Sequence, residues 1–149
     1  MTLQKGEEQV LRYSYDFATN GGAVSAITLV APVVPLEEGM IVRGISVYTE
    51  AALTSGGTPT ITFGNTTDVD GYLADTWALS TVVNTVVNEG EVAGALLWDD
   101  TNDHRLEYYI DGTAANQNLI MTIGTAAITA GQLSVMVRVY KPFSTATEA

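Results

Sequence analysis

Apolar and polar residues alternate along most of this chain, and this alternation limits its fold more than any other feature. Every second residue from Leu11 to Phe17 is apolar, and the same pattern returns from Leu133 to Val139. A side-chain period of two is what a half-buried antiparallel strand requires, and β-branched and aromatic residues dominate these runs. Eight strands are predicted, at residues 8–17, 23–31, 41–49, 58–63, 94–99, 105–110, 118–123 and 131–140.

Turn signals separate the predicted strands. Glycine, asparagine and aspartate cluster in short stretches at residues 19–22, 37–39, 54–59, 99–103 and 111–116. Glycine supplies the positive φ that tight corners need, and Asn and Asp close such corners through their own side chains. Short strands at regular spacing with such corners indicate an all-β, antiparallel sandwich or barrel.

The stretch at residues 70–79 departs from the alternation. Its apolar residues recur at helical spacing, which predicts one short helix, and a long excursion follows at residues 80–94. Long loops in compact domains are usually functional or form interfaces. The excursion carries two valine pairs, which would need a covering surface if they are exposed: Val82, Val83, Val86 and Val87. The alternative is a loop that folds back onto its own sandwich.

Composition excludes several classes of function. The 149 residues carry 17 acidic and 6 basic side chains, which gives a formal net charge of −11. Nucleic acids and anionic membranes attract clustered Lys and Arg, whereas the basic residues here are scattered, so we expect neither partner. Cysteine is absent, which removes disulfides and thiolate chemistry. No stretch approaches the roughly 20 apolar residues that span a bilayer.

Two chemical motifs were considered and neither predicts a reactive centre. Asp68 and Asp70 offer the oxygen ligands that calcium prefers, but their surroundings fail the EF-hand pattern at several positions. The alternative is a solvated turn in which Asp70 caps the predicted helix. His104 is the only histidine, and no G-x-S-x-G nucleophile motif is present. We therefore expect no catalytic residue, no cofactor and no bound metal, with Asp68 and Asp70 as the calcium candidates.

Two segments resemble small virion structural proteins of tailed bacteriophages, of the capsid decoration (cement) or head-fibre type. The first covers residues 34–75 and ends in the acidic "DVDGYLAD"; the second covers residues 125–140 and contains "TAGQLSVMVRVY". The resemblance implies a jelly-roll-like sandwich without catalytic residues. It implies structural roles at a strand end and a turn for the matching residues Gly64, Asp68, Asp70, Gly71, Tyr72 and Leu73.

The same resemblance implies a function. It predicts a capsid decoration protein on the virion exterior that binds the outer surface of the major capsid protein shell and stabilises it. A homo-oligomer is expected, with a trimer as the guess. The alternatives are a head-fibre base, tail or receptor-binding domain of the virion, or a carbohydrate-binding β-sandwich module. The resemblance implies a protein that is not an enzyme.

The two ends of the chain are polar and are predicted to lie outside the sandwich. We expect an N-terminal arm at residues 1–7, a single sandwich domain at residues 8–143 and a flexible C-terminal tail at residues 144–149. Leu3 in the arm joins the four valines as a predicted contact residue.

Overall fold

A computed structural model describes residues 8–30 and 35–142, so the predicted arm with Leu3 and the predicted tail lie outside the described residues. The described strands are β1 (Glu8–Asp16), β2 (Ser25–Thr28), β3 (Ile41–Ser55), β4 (Thr60–Gly64), β5 (Val86–Asn88), β6 (Trp98–Asp99), β7 (His104–Arg105), β8 (Tyr108–Tyr109), β9 (Ile120–Gly124) and β10 (Ile128–Tyr140). The helices are α1 (Phe17–Asn20), α2 (Trp77–Ser80), α3 (Glu89–Val92) and a 3-10 turn at Ala114–Gln117.

The strands pair in a nested order. β1 lies antiparallel to β10, β2 to β9 and β3 to β8, and Phe63 at the end of β4 bridges Leu73. The chain is therefore one long hairpin whose arms alternate between two sheets, which is the arrangement of a jelly roll. The larger sheet has the order β1-β10-β3-β5, with β8 also paired to β3, and the smaller has the order β2-β9-β4. The predicted antiparallel sandwich is confirmed.

The core lies between the two sheets and follows the alternation of the sequence. On β10 the residues Leu133, Val135 and Val137 are fully buried, and their partners on β3 include Ile45 and Val47, which are also fully buried. The buried apolar residues form one continuous cluster. Each fully buried aliphatic side chain contributes about 1.5–3 kcal/mol relative to exposure, so this long pair of strands supplies much of the driving force for folding.

The helix predicted at residues 70–79 is confirmed only at its end, as α2. Before it the chain runs beside β4: Leu73 and Phe63 exchange two backbone hydrogen bonds of 3.0 Å, and the Thr76 N–H donates to the Ile61 carbonyl at 2.8 Å. Backbone groups committed to β4 cannot also close a helix, so Asp70 caps nothing. The Asp75 side chain lies at the start of α2 instead, where its Oδ1 accepts from the N–H of Trp77, the first residue of the helix, at 3.0 Å. No helix in the described ranges is long and apolar enough to cross a bilayer.

Two other predicted strands are shorter than expected. The strand predicted at residues 105–110 is interrupted and contributes to both β7 and β8, which belong to different sheets. The strand predicted at residues 94–99 is mostly a turn, because the N–H groups of Leu97 and Trp98 both donate to the Gly94 carbonyl. In both stretches the backbone turns, but single apolar side chains such as Leu97 and Ile110 still reach the core, so the sequence alternates without forming one strand.

A substitution at Gly64, the last residue of β4, tests the packing of the corner that follows this strand. A Cβ at this position would overlap the backbone of Asp68 and Val69, whereas a Cβ at Gly56 meets no atom within 4 Å. Backbone is costly to displace, so Gly64→Ala should destabilise the fold by about 3 kcal/mol, or about 6–12 °C in melting temperature. Gly56→Ala is the matched control and should melt within about a degree or two of the parent. Equal melting temperatures for the two variants in a calorimetric scan would contradict the described corner.

Candidate interaction surface

The outer face of the five-stranded sheet, meaning the side turned away from the core, gathers all four arginines of the chain. Arg12 lies on β1, Arg43 on β3 and Arg138 on β10, and Arg105 on β7 reaches over β3 to donate to the Arg43 carbonyl at 2.8 Å. The basic residues are scattered along the chain, but the arginines are close together in space. The fold brings the arginines together because outward positions recur at every second residue.

Glu89 lies at the centre of this cluster and is the most buried acidic group among the described residues. Its side chain is 7% exposed. Oε1 accepts from the guanidinium groups of Arg138 and of Arg105, the latter at 2.7 Å, and Oε2 accepts from the backbone N–H of Ile45 at 3.1 Å. One carboxylate therefore links α3, β7, β10 and β3. A buried charge is tolerated only when it is paired and hydrogen-bonded, and Glu89 meets both conditions.

A bulge in β3 and a glycine make room for Glu89. The β3–β10 register shifts between the pairs Arg138–Gly44 and Val139–Val42, so Arg43 is the extra residue on β3. A Cβ on Gly44 would overlap both the Arg138 guanidinium and the Glu89 carboxylate. A bulge disrupts the ladder locally, and here the freed N–H of Ile45 finds the carboxylate as its acceptor.

The remaining arginines of the outer face are also paired with glutamates. Arg12 contacts Glu50 at 2.7 Å, and Arg43 contacts Glu107 at 2.8 Å and Glu8 at 3.4 Å. The pKa of Arg43 is raised, mainly because the Arg43 guanidinium donates a hydrogen bond to the Glu107 carboxylate. Because the arginines and these glutamates balance each other, the net charge of −11 belongs to the rest of the chain.

The predicted contact valines separate into two groups. Val82, Val83 and Val86 are exposed, at 55%, 49% and 48% of their surface, and together they are called the valine patch below. Val87 is fully buried, because it pairs with Val47 on the inward side of β3. The expectation that all four valines would be available for contact is therefore wrong for Val87. In a strand, adjacent side chains point to opposite faces, so Val86 and Val87 cannot share an environment.

The backbone under the valine patch is fixed to the edge of β3. The Asn84 N–H donates to the Thr49 carbonyl at 2.9 Å, and the Thr49 N–H donates to the Thr85 carbonyl at 3.0 Å. Asn84 adopts φ 64°, a left-handed conformation that asparagine tolerates better than most residues, and its side chain accepts from the Tyr48 hydroxyl at 2.8 Å. The valines are therefore presented on an ordered segment.

The calcium candidates form a pair. Burial raises the pKa of Asp68, and the neighbouring carboxylate of Asp70 raises it further. Calcium takes six to eight oxygen ligands, whereas the described part of the chain contains no group of three or more acidic or histidine side chains arranged around a common point. The corner itself is closed by Asn65, whose Oδ1 accepts from the N–H groups of Thr67 and Asp68 at 3.0 and 2.8 Å.

A second group of acidic residues, at residues 99–103, forms a closed turn. The Asp99 carboxylate accepts from the N–H groups of Thr101 and Asn102 and from the Asn102 side-chain amide, which lowers the pKa of Asp99. His104 is exposed and lies 4.0 Å from Asp99. An aspartate occupied by its own turn does not orient an exposed histidine as a base requires.

Two grooves on the outer face share Arg105 and Arg138 and have volumes of about 630 and 270 Å³. The paired arginines and glutamates described above make up most of the wall of the larger groove. The smaller groove combines Glu89, Arg105 and Arg138 with uncharged residues, among them Trp98.

Sequence reasoning missed Glu89 and its two arginines. Arg105 and Arg138 are 16 and 49 residues away in the chain, so no local pattern connects them to Glu89. The sequence contains one weak indication that Glu89 is special. Residues 76–88 carry no charge, and Glu89 is the first charged residue after them.

Comparison of the fold with solved structures finds bacteriophage capsids. The chain matches a chain of "Cyanophage Pam1 capsid asymmetric unit" over 93% of its own length and 87% of that chain, with a TM-score of 0.64 and 19% sequence identity. It also matches a chain of "Acidic stable capsid structure of Helicobacter pylori bacteriophage KHP30" over 96% and 95% of the two lengths, with a TM-score of 0.44 and 15% identity. No protein-family model and no curated protein matches the sequence. The class defined by these observations is an antiparallel jelly-roll sandwich, whose fold is shared with a chain of the cyanophage capsid structure.

Glu89→Gln tests the ionic cluster. The substitution keeps the shape of the side chain but leaves Arg138 and Arg105, which are 31% and 57% exposed, without their shared counter-charge. Partial exposure places the expected loss between that of a surface pair and a buried pair, at about 2 kcal/mol, or about 4–8 °C in melting temperature. Glu38→Gln makes the same chemical change at an exposed position and should have little effect. A Glu89→Gln protein that unfolds at the parental denaturant midpoint would show that the cluster contributes nothing to stability.

Proposed function

We propose that this chain is a bacteriophage virion structural protein that decorates the exterior of the capsid and stabilises the shell. The observation that carries the proposal is the fold likeness to a chain of the cyanophage capsid structure, which extends over nearly the whole of both chains. The proposed role is structural and not enzymatic, and its partner is the major capsid protein.

The outer face of the five-stranded sheet is the surface that we assign to the shell contact. It is broad and charge-balanced, and its largest exposed aromatic side chain is Tyr109 on β8, at 50% exposure. Tyrosine is enriched among the residues that dominate binding energy, because it combines a large contact area with a polar tip. An acidic protein docks more readily through a face without net charge, since desolvation and repulsion are both smaller there.

Shell stabilisation follows from mass action. A protein that binds the assembled shell and not its dissociated subunits lowers the free energy of the assembled state, and the effect is multiplied over many copies. The strong negative charge outside the docking face keeps free copies soluble before they bind. This mechanism needs no reactive group, in agreement with the paired state of the charged side chains on the outer face.

The proposal predicts that the chain is abundant in purified virions. Quantitative mass spectrometry should find a copy number of the same order as that of the major capsid protein. Particles that lack the chain should release their genome at a lower temperature than complete particles. A copy number equal to that of a vertex or tail component would instead favour the head-fibre, tail or receptor-binding alternative and would contradict decoration.

The docking face is tested by adding variants back to particles that lack the chain. Tyr109→Asp places a charge on the proposed contact, and the contact should weaken by at least 2 kcal/mol, or about 30-fold. Val24→Asp places the same charge on an equally exposed residue beside β2 in the other sheet, and should bind like the parent. Equal binding by both variants would remove the outer face as the docking surface.

A further inference from the structure

The valine patch is an exposed apolar surface at the β5 edge of the five-stranded sheet, where Val86 turns to the outer face beside Tyr48. The paired arginines and glutamates of that face do not account for it. Its three residues are each about half exposed on a segment that contains no charge from Thr76 to Asn88. Isolated exposed apolar residues are normal, but several neighbours on one ordered segment mark an interaction site. The question is which surface covers them.

The position of the patch in the fold points to a lateral contact. β5 is an edge strand of the five-stranded sheet, beside β3, and Val82 and Val83 lie in the turn that leads to it. The patch therefore occupies the rim of the sandwich. Copies that stand side by side on a shell meet at their rims, while their broad faces remain free for other contacts.

Charge favours a second copy as the occupant. Each copy carries a net charge of −11, so two copies repel each other unless they meet where acidic residues are missing. The patch contributes no charge. Glu50, which lies two residues beyond Tyr48 on the neighbouring strand β3, is paired with Arg12. An apolar surface is also complementary to itself, which is the condition that a twofold contact imposes, and it can equally take part in the head-to-tail contact of a ring.

The rigidity of the segment reduces the cost of such a contact. The hydrogen bonds of Asn84 and Thr85 to Thr49 hold the backbone before any partner arrives. Little conformational entropy is then lost on association, so a small apolar surface yields more affinity. A standard contact buries about 800 Å² per partner, more than three valines supply, so uncharged neighbours such as Thr81 and Asn84 must contribute.

We propose that the valine patch is the contact through which copies of this chain form a closed homo-oligomer before they reach the shell. A closed oligomer hides the valines in the free protein, where exposed apolar surface would otherwise promote aggregation. The contact does not depend on the virion role, because it forms in the purified protein.

The test is the mass of the purified full chain in solution, measured by light scattering and by sedimentation equilibrium. The parent should have an integer multiple of the monomer mass, and Val83→Asp should raise the dissociation constant at least about 30-fold. Val86→Asp, at the first residue of β5, should raise the dissociation constant by a similar factor. Far-UV circular dichroism and the melting temperature establish that each variant is folded, as expected at half-exposed positions.

Val24→Asp is the matched control, since Val24 is 55% exposed and lies beside the other sheet. It should leave the oligomer intact. A monomeric parent, an oligomer that persists in both patch variants, or an oligomer that Val24→Asp dissociates would each overturn the proposal. A monomeric parent that binds shells through the valines would also overturn it, while leaving the decoration role standing.

Discussion

The antiparallel pairing of β3 with β10 is the constraint on which the rest of the molecule depends. These two strands face the core with one side, and their bulge at Arg43 opens the other side to the Glu89 carboxylate. Glu89 then fastens the excursion at residues 80–94 to the sheet, through Arg138 on β10 and the backbone N–H of Ile45 on β3. Because the excursion is fastened, β5 can pair with β3 and hold the valine patch at the rim. The proposed contact therefore depends on the ion pairs of Glu89, and those ion pairs depend on the packing of β3 against β10.

Charge is distributed so that different surfaces suit different partners. The outer face carries paired arginines and glutamates, the rim carries uncharged valines, and the acidic excess belongs to the rest of the chain. Mutually neutralised pairs give geometric specificity at little net cost, whereas apolar side chains give affinity. The proposed decoration role would use the first property toward the shell and the second toward other copies of the chain.

The strands that were predicted correctly from the sequence are those with one solvent-exposed face and one buried face. This condition holds for β1, for β3 on the C-terminal side of its bulge as far as Glu50, and for the last six residues of β10. It failed at residues 70–76, where Tyr72 and Leu73 are adjacent and both fully buried because the chain folds against β4. Two neighbouring buried residues resemble one side of a helix when only spacing is considered, and the backbone partners in β4 cannot be read from the local pattern.

The candidate surface was only partly predictable for a related reason. The valine pairs identified the excursion as a possible contact, but which valine of the pair Val86–Val87 points outward depends on the register of β5 with β3. That register places Val86 beside Tyr48 and Val87 beside Val47. The cluster around Glu89 joins residues that are far apart in the chain, so it follows from topology and not from any motif.

The most direct measurement is a cryo-electron microscopy map of the intact particle with this chain fitted into its density. The account predicts that the sandwich stands on the outside of the shell, with the β1-β10-β3 side against the major capsid protein and the residue 82–86 rims of adjacent copies in contact. Density inside the shell or in the tail would contradict it, and so would a rim that faces only solvent.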